Sequence, residues 1–130
     1  MAVFNFENFF EVGNHLHHYS KKEAYQRSAI TRYYYSVFHS VKDYFENSFR
    51  IHLSSKDIHS TLIRELENSP FEKENKLGEN LRILRNNRNH ADYLKRKINK
   101  NKAKISKKKT DEVISLLDQL TRNPVRLMKH

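Results

Sequence analysis

Apolar residues recur at steps of three and four along nearly the whole chain, the period of helices with one buried face. Phe6, Phe9, Phe10, Leu16 and Tyr19 mark a first helix over Asn5 to Tyr19. A second, long helix spans Lys21 to Phe49, with Ile30, Tyr34, Val37, Phe38, Val41, Tyr44 and Phe45 on its inward face. The third covers Lys56 to Asn68, with Ile58, Leu62, Ile63 and Leu66 inward, and the fourth covers Phe71 to Leu94. A fifth opens at Thr110, places Asp111 and Glu112 where the helix dipole favours acids, buries Val113, Ile114, Leu116, Leu117 and Leu120, and stops near Pro124. Ser20 with Glu23, and Ser69 with Glu72 behind Pro70, have the capping-box spacing that starts helices. The pattern predicts an all-α fold, an antiparallel up-and-down bundle of about five helices in one domain over residues 1–130.

Composition narrows the function classes. Two Gly and two Pro exclude a fold rich in tight turns and a glycine-rich phosphate loop. The absence of Cys excludes disulfides, thiolate metal sites and a Cys nucleophile. No signal-peptide pattern and no run of membrane-spanning length occurs, so the expectation is a cytoplasmic protein with no membrane partner. The net charge is +10, yet residues Lys95 to Lys109 hold nine Lys/Arg and no acid, which leaves the rest nearly neutral. This tract is expected to be a basic loop or a frayed segment. In it Lys95, Arg96, Lys97, Lys107, Lys108 and Lys109 are candidates for holding an RNA backbone.

The fourth helix carries the candidate chemistry, in the segment Arg82 to Tyr93. Leu77, Leu81, Leu84 and Ala91 project to its core side, whereas Asn86, His90 and Tyr93 project away from it, bordered by Arg82 and Asn89. An outward face of Arg, Asn, His and Tyr without a carboxylate of its own suits phosphate contact and proton transfer. Arg85 precedes His90 by five residues, about 140° around an unbroken helix, so the two need a long reach, an irregular helix or a second subunit to meet. Arg88 projects close to the core and needs a partner there, with Asp92 at i+4 the obvious one.

Ser28-Ala29-Ile30-Thr31-Arg32-Tyr33-Tyr34-Tyr35-Ser36-Val37-Phe38-His39 in the second helix and Arg85-Asn86-Asn87-Arg88-Asn89-His90-Ala91-Asp92-Tyr93 in the fourth resemble the HEPN superfamily of helical bundles (higher eukaryotes and prokaryotes nucleotide-binding). The resemblance implies a homodimer and a metal-independent endoribonuclease of a toxin–antitoxin or antiphage defence system. It implies an Arg-x4-His site at the dimer interface: Arg85 to stabilise phosphorane charge, Asn86 to orient, and His90 as general acid or base. The partners implied are RNA, of transfer or messenger type, and a cognate nucleotidyltransferase antitoxin. That antitoxin would modify a tyrosine such as Tyr93, and Arg82 and Asn89 would line the site. The same residues also read as Arg88-x-x-Ala91-Asp92-Tyr93, the signature of a HEPN group without a catalytic His. That alternative is a non-catalytic binding module partnering a nucleotidyltransferase or a nucleotide.

The remaining histidines carry less. Arg32 and His39 also fit an Arg–His spacing but belong to the second-helix packing or interface pattern. His15 and His18 lie on one helical face without a completing ligand set, so no metal is expected, and no cofactor either. His52 and His59 are expected at the surface.

Overall fold

A computed structural model describes residues 5–54 and 56–124. These form five helices and no strand: α1 Asn8–Tyr19, α2 Glu23–Phe49, α3 Ile58–Glu67, α4 Glu72–Tyr93 and α5 Lys100–Arg122. The long α2 is the spine of the bundle and touches all four others; α3 rests mainly on α4, and α3 and α5 do not meet. The main core joins Val37, Val41 and Phe45 of α2 to Leu62 and Leu66 of α3, Leu77, Leu81 and Leu84 of α4, and Val113, Leu117 and Leu120 of α5. A smaller cluster of Ile30, Ala91, Ile98 and Ala103 seals the other end, where α4 turns into α5. The periodicity therefore located the buried faces of α2, α3 and α4 correctly. Each large apolar side chain fully buried there contributes about 1.5–3 kcal/mol.

Four local expectations differ. Tyr19 is 67% exposed and stacks on His15, while the inward positions of α1 are Gly13 and His17. Gly13 is there because α1 and α2 cross closely: a Cβ would stand 3.0 Å from the Tyr33 ring. Neither capping box forms. Ser20 and Ser69 instead accept the amides two residues on, from Lys22 and Phe71, while Glu23 pairs with Arg27.

The fourth difference is the basic tract. Only the stretch from Leu94 to Asn99 is a connection; from Lys100 the chain is helical, so the first ten residues of α5 were expected as loop. The Asn99 side chain caps this helix by accepting the Lys102 amide. The buried stripe then runs Ala103, Ser106, Thr110, Val113, Leu117, Leu120 without a break. Its first half is made of small and polar residues. Ser106 donates to the Lys102 carbonyl and accepts from Asn87 Nδ2, and Thr110 donates to the Ser106 carbonyl. Hydroxyls satisfied in this way are buried at little cost, so the helix needs no large apolar residue to extend past Thr110.

Candidate functional site

The late turns of α4 present three sides. Toward α3, Arg85 Nη1 donates to Ser60 Oγ at 2.9 Å. Its Nε is buried with no acceptor among the described residues. Arg82 closes a two-pronged ion pair on Glu67, Nε to Oε2 at 2.8 Å and Nη2 to Oε1 at 2.5 Å. The acid missing from α4's own outward face is thus supplied by α3. Arg85, Arg82 and the exposed Asn86 line a small groove with Ser60, Ile63 and Arg64.

Toward α5, His90 Nδ1 lies 3.1 Å from Lys102 Nζ. Partial burial, then Lys102 and Arg96, hold its pKa below the ordinary imidazole value. An ammonium can only donate, so Nδ1 accepts and the proton of the neutral ring sits on Nε2. Arg85 and His90, expected as one catalytic pair, therefore turn to different helices, and no hydrogen bond joins them. The cause is the unbroken helix: α4 stays regular through Tyr93, so five residues separate the two side chains angularly.

Against α2, Arg88 Nε lies 2.9 Å from Asp92 Oδ2, the ion pair expected from the i+4 spacing, without hydrogen-bond alignment. Asp92 Oδ1 also accepts from Thr31, and Arg88 reaches Asn89 Oδ1 at 3.2 Å. The Arg88 guanidinium lies over the Tyr35 ring at 5.2 Å and the Tyr93 ring at 5.6 Å. Tyr93 is otherwise 71% exposed.

Two residues at this junction were not anticipated. Arg27 on α2 donates to the carbonyls of His90, Ala91 and Arg96, and so satisfies the open end of α4. The sequence offered only its i,i+4 relation to Glu23. His59, expected at the surface, is half-buried: its ring stacks on Phe38 at 4.1 Å and its Nδ1 meets the Tyr34 hydroxyl. Burial, with Arg85 and Arg88 nearby, lowers its pKa to about 4. The available signal was its place on the inward stripe of α3, three and four residues before Leu62 and Ile63. His39 stacks on Phe6 at 3.7 Å and Arg32 lies over Phe9 at 5.0 Å. Arg32 packs α1 onto α2 and His39 packs the turn before α1 onto it, as their place in the second-helix pattern suggested.

Apart from Lys102 on His90, the cations of the basic tract divide three ways. Lys95, Arg96 and Lys97 are exposed on the connection after α4. Lys109 pairs with Glu112 at 3.2 Å. Lys107 and Lys108 join Lys100 and Lys104 in a stripe on α5 that lines a groove with His17, His18 and Asp111. In that stripe only Lys107 has an acid, Asp111 at 3.7 Å.

No protein-family model, curated protein or solved structure matches this chain. Among the described residues no helix is long and apolar enough to cross a membrane, and no group of His, Cys, Asp and Glu is placed to hold a metal ion.

Proposed function

We propose that the protein is a HEPN-like binding module that holds RNA on the basic surface of α5 and the preceding connection, without cleaving it as a single chain. One observation carries this reading. The motif arginines nearest the α2 and α3 packing are committed to the fold, whereas the α5 lysines are not. Arg82 is paired with Glu67 and Arg88 with Asp92, while Lys100, Lys104 and Lys108 have no ion pair among the described residues. Arg85 and His90 face different helices, which fits the Arg88-x-x-Ala91-Asp92-Tyr93 reading of the motif better than the Arg-x4-His one. Through that resemblance, the module would associate with a nucleotidyltransferase. The test is to incubate purified protein with end-labelled RNA in EDTA. The expected result is intact RNA that is retained at low salt and released as salt rises. Cleavage that disappears in both Arg85→Ala and His90→Ala overturns the reading.

A second reading, the metal-independent ribonuclease of a toxin or defence system, is favoured by the unsatisfied Nε of Arg85 beside the Arg64 and Asn86 groove. It requires a homodimer in which a second copy supplies an imidazole to that groove. A ribose 2′-hydroxyl would then lose its proton to the ring and attack the adjacent phosphorus. The 5′-oxygen would leave as the imidazolium returns that proton to it, giving a 2′,3′-cyclic phosphate and a 5′-hydroxyl. Formation of those ends in EDTA is the signature to look for.

A further inference from the structure

The groove between α1 and α5 contains a histidine whose hydrogen bonding fixes which ring nitrogen is free. The Gln26 amide on α2 donates both its hydrogens to main-chain carbonyls, those of His17 and Ser20. Its orientation is thereby set, and Oε1 faces His17 Nδ1 at 2.7 Å. An oxygen there can only accept, so Nδ1 carries the proton and Nε2 of the neutral ring is a bare lone pair. Nε2 has no hydrogen-bond partner among the described residues, and His17, only 4% exposed, lines the groove between α1 and α5.

The surroundings of that nitrogen are cationic. From α5 come Lys100, Lys104, Lys107 and Lys108, with Asp111 the one acid; from α1 comes His18, and α2 contributes the neutral Gln26. Lys100 lies in the first turn of α5, where the helix dipole is already positive. The fold gains nothing from a cation there. An empty groove therefore repels a proton from Nε2, and an anion in the groove does the reverse.

We propose that this groove is a phosphate site, in which His17 gains a proton on Nε2 and donates a hydrogen bond from it to the bound anion beside Lys100, Lys104 and Lys108. The proton comes from solvent and returns there on release. The inference rests on the RNA-binding reading for the source of the phosphate, a backbone phosphodiester, but its chemistry is that of any phosphate. Burial, His18, Lys100 and Lys107 outweigh the Gln26 bond and hold the His17 pKa below that of a free imidazole. Occupancy would remove that depression. Binding would then strengthen as pH falls, by tenfold for each unit the pKa rises on binding.

The test follows the His17 ring signals by NMR across pH, for the whole chain alone, with inorganic phosphate, and with an unstructured RNA oligomer. Affinity for the same oligomer is measured at about pH 5.5 and about pH 7.5. The expected result is a His17 pKa that rises by about one unit with RNA, and a matching tenfold gain in affinity at the lower pH. His17→Asn loses that gain and His15→Asn keeps it. Circular dichroism checks that both fold. If His17→Asn unfolds, the NMR titration of the unaltered protein still decides. RNA that binds without moving the His17 pKa overturns this inference and leaves the RNA-binding reading standing. No RNA binding, but a His17 pKa raised by inorganic phosphate, overturns that reading and leaves a small-phosphate site. Failure of both ligands to move His17 overturns the site.

Discussion

The end of α4, with Arg27 of α2 against it, and the start of α5 both carry several cations and use them in opposite ways. At α4, Arg27, Arg82 and Arg88 are each locked by geometry: three carbonyls, a bidentate carboxylate, and a carboxylate between two aromatic rings. At α5, Lys100, Lys104 and Lys108 line open space, and Lys100 sits at a helix start where the dipole opposes it. Guanidinium is suited to the first task, because its planar fork matches carboxylates and carbonyl pairs. The compact, well-hydrated ammonium is suited to the second. An arginine-rich motif is thus not by itself a binding surface, and which cations are free is decided by the acids and carbonyls packed around them.

Arg88→Ala should break this comparison most severely if it is wrong. The pair with Asp92 is about four-fifths buried, with 18% and 25% of the two side chains exposed. Removing the arginine leaves the partly exposed Asp92 carboxylate held only by Thr31. Denaturant unfolding should show a loss of about 2 kcal/mol, and RNA affinity of the folded protein should stay within about twofold, since surface lysines carry it. A large drop in affinity with little change in stability would place Arg88 among the binding cations instead.

Acid should expose the same structural arginines through His59. Its folded pKa is about 4, against about 6.5 when unfolded. Between those values the unfolded chain binds the extra proton, so stability is full above about pH 6.5 and falls as pH drops toward about pH 4. With solvent screening at a half-buried ring the loss reaches about 1–2 kcal/mol at the acid end. His17, His39 and His90 are shifted in the same direction and add to the fall. His59→Phe keeps a ring against Phe38 and removes the titration. Its unfolding free energy should therefore depend less steeply on pH than the unaltered protein's; equal slopes would deny His59 its part.

Much of this arrangement was legible in the pattern of residues, and the reasons for the rest are specific. The faces of α2, α3 and α4 and the Arg88–Asp92 pair follow from spacing alone, because large apolar residues and i+4 charges report helix phase directly. The start of α5 did not, because its buried positions are Ala103, Ser106 and Thr110, which look like surface residues until their hydroxyls find backbone carbonyls. The Arg82–Glu67 pair and the Arg27 cap join residues 15 to 69 positions apart. No local period encodes them. The role of His17 has no local signal either, because the residue that orients it, Gln26, lies on the next helix.

Replacing Lys100, Lys104 and Lys108 together with Gln tests the other half of the comparison. Each single-strand phosphate that no longer meets a lysine should flatten the slope of log affinity against log salt by about 0.7, or about 2 for three. Affinity at low salt should fall by about tenfold or more. Stability should stay within about 0.5 kcal/mol, with a slight gain expected because Lys100 no longer opposes the dipole. An unchanged salt slope would mean that the lysine stripe is only a solvated face.

Arg82→Gln should have the smallest effect and so gives the sharpest control. The ion pair with Glu67 has good geometry, yet its side chains are 52% and 26% exposed. Solvent screening at that exposure limits its net worth to about 0.5 kcal/mol. The Arg82 bond holds the Glu67 carboxyl below its usual range, so this small contribution is present at neutral pH and is lost as acid protonates Glu67. Glu67, once released, can turn to the neighbouring groove, where Arg64 and Arg85 lie without a carboxylate partner of their own. The measurement is a salt titration of RNA affinity beside a thermal melt. An unchanged salt slope with a small downward shift in melting assigns Arg82 to the fold, while a slope flattened by about 0.7 would make it a phosphate contact and extend the binding surface from α5 across to the α3 side of α4.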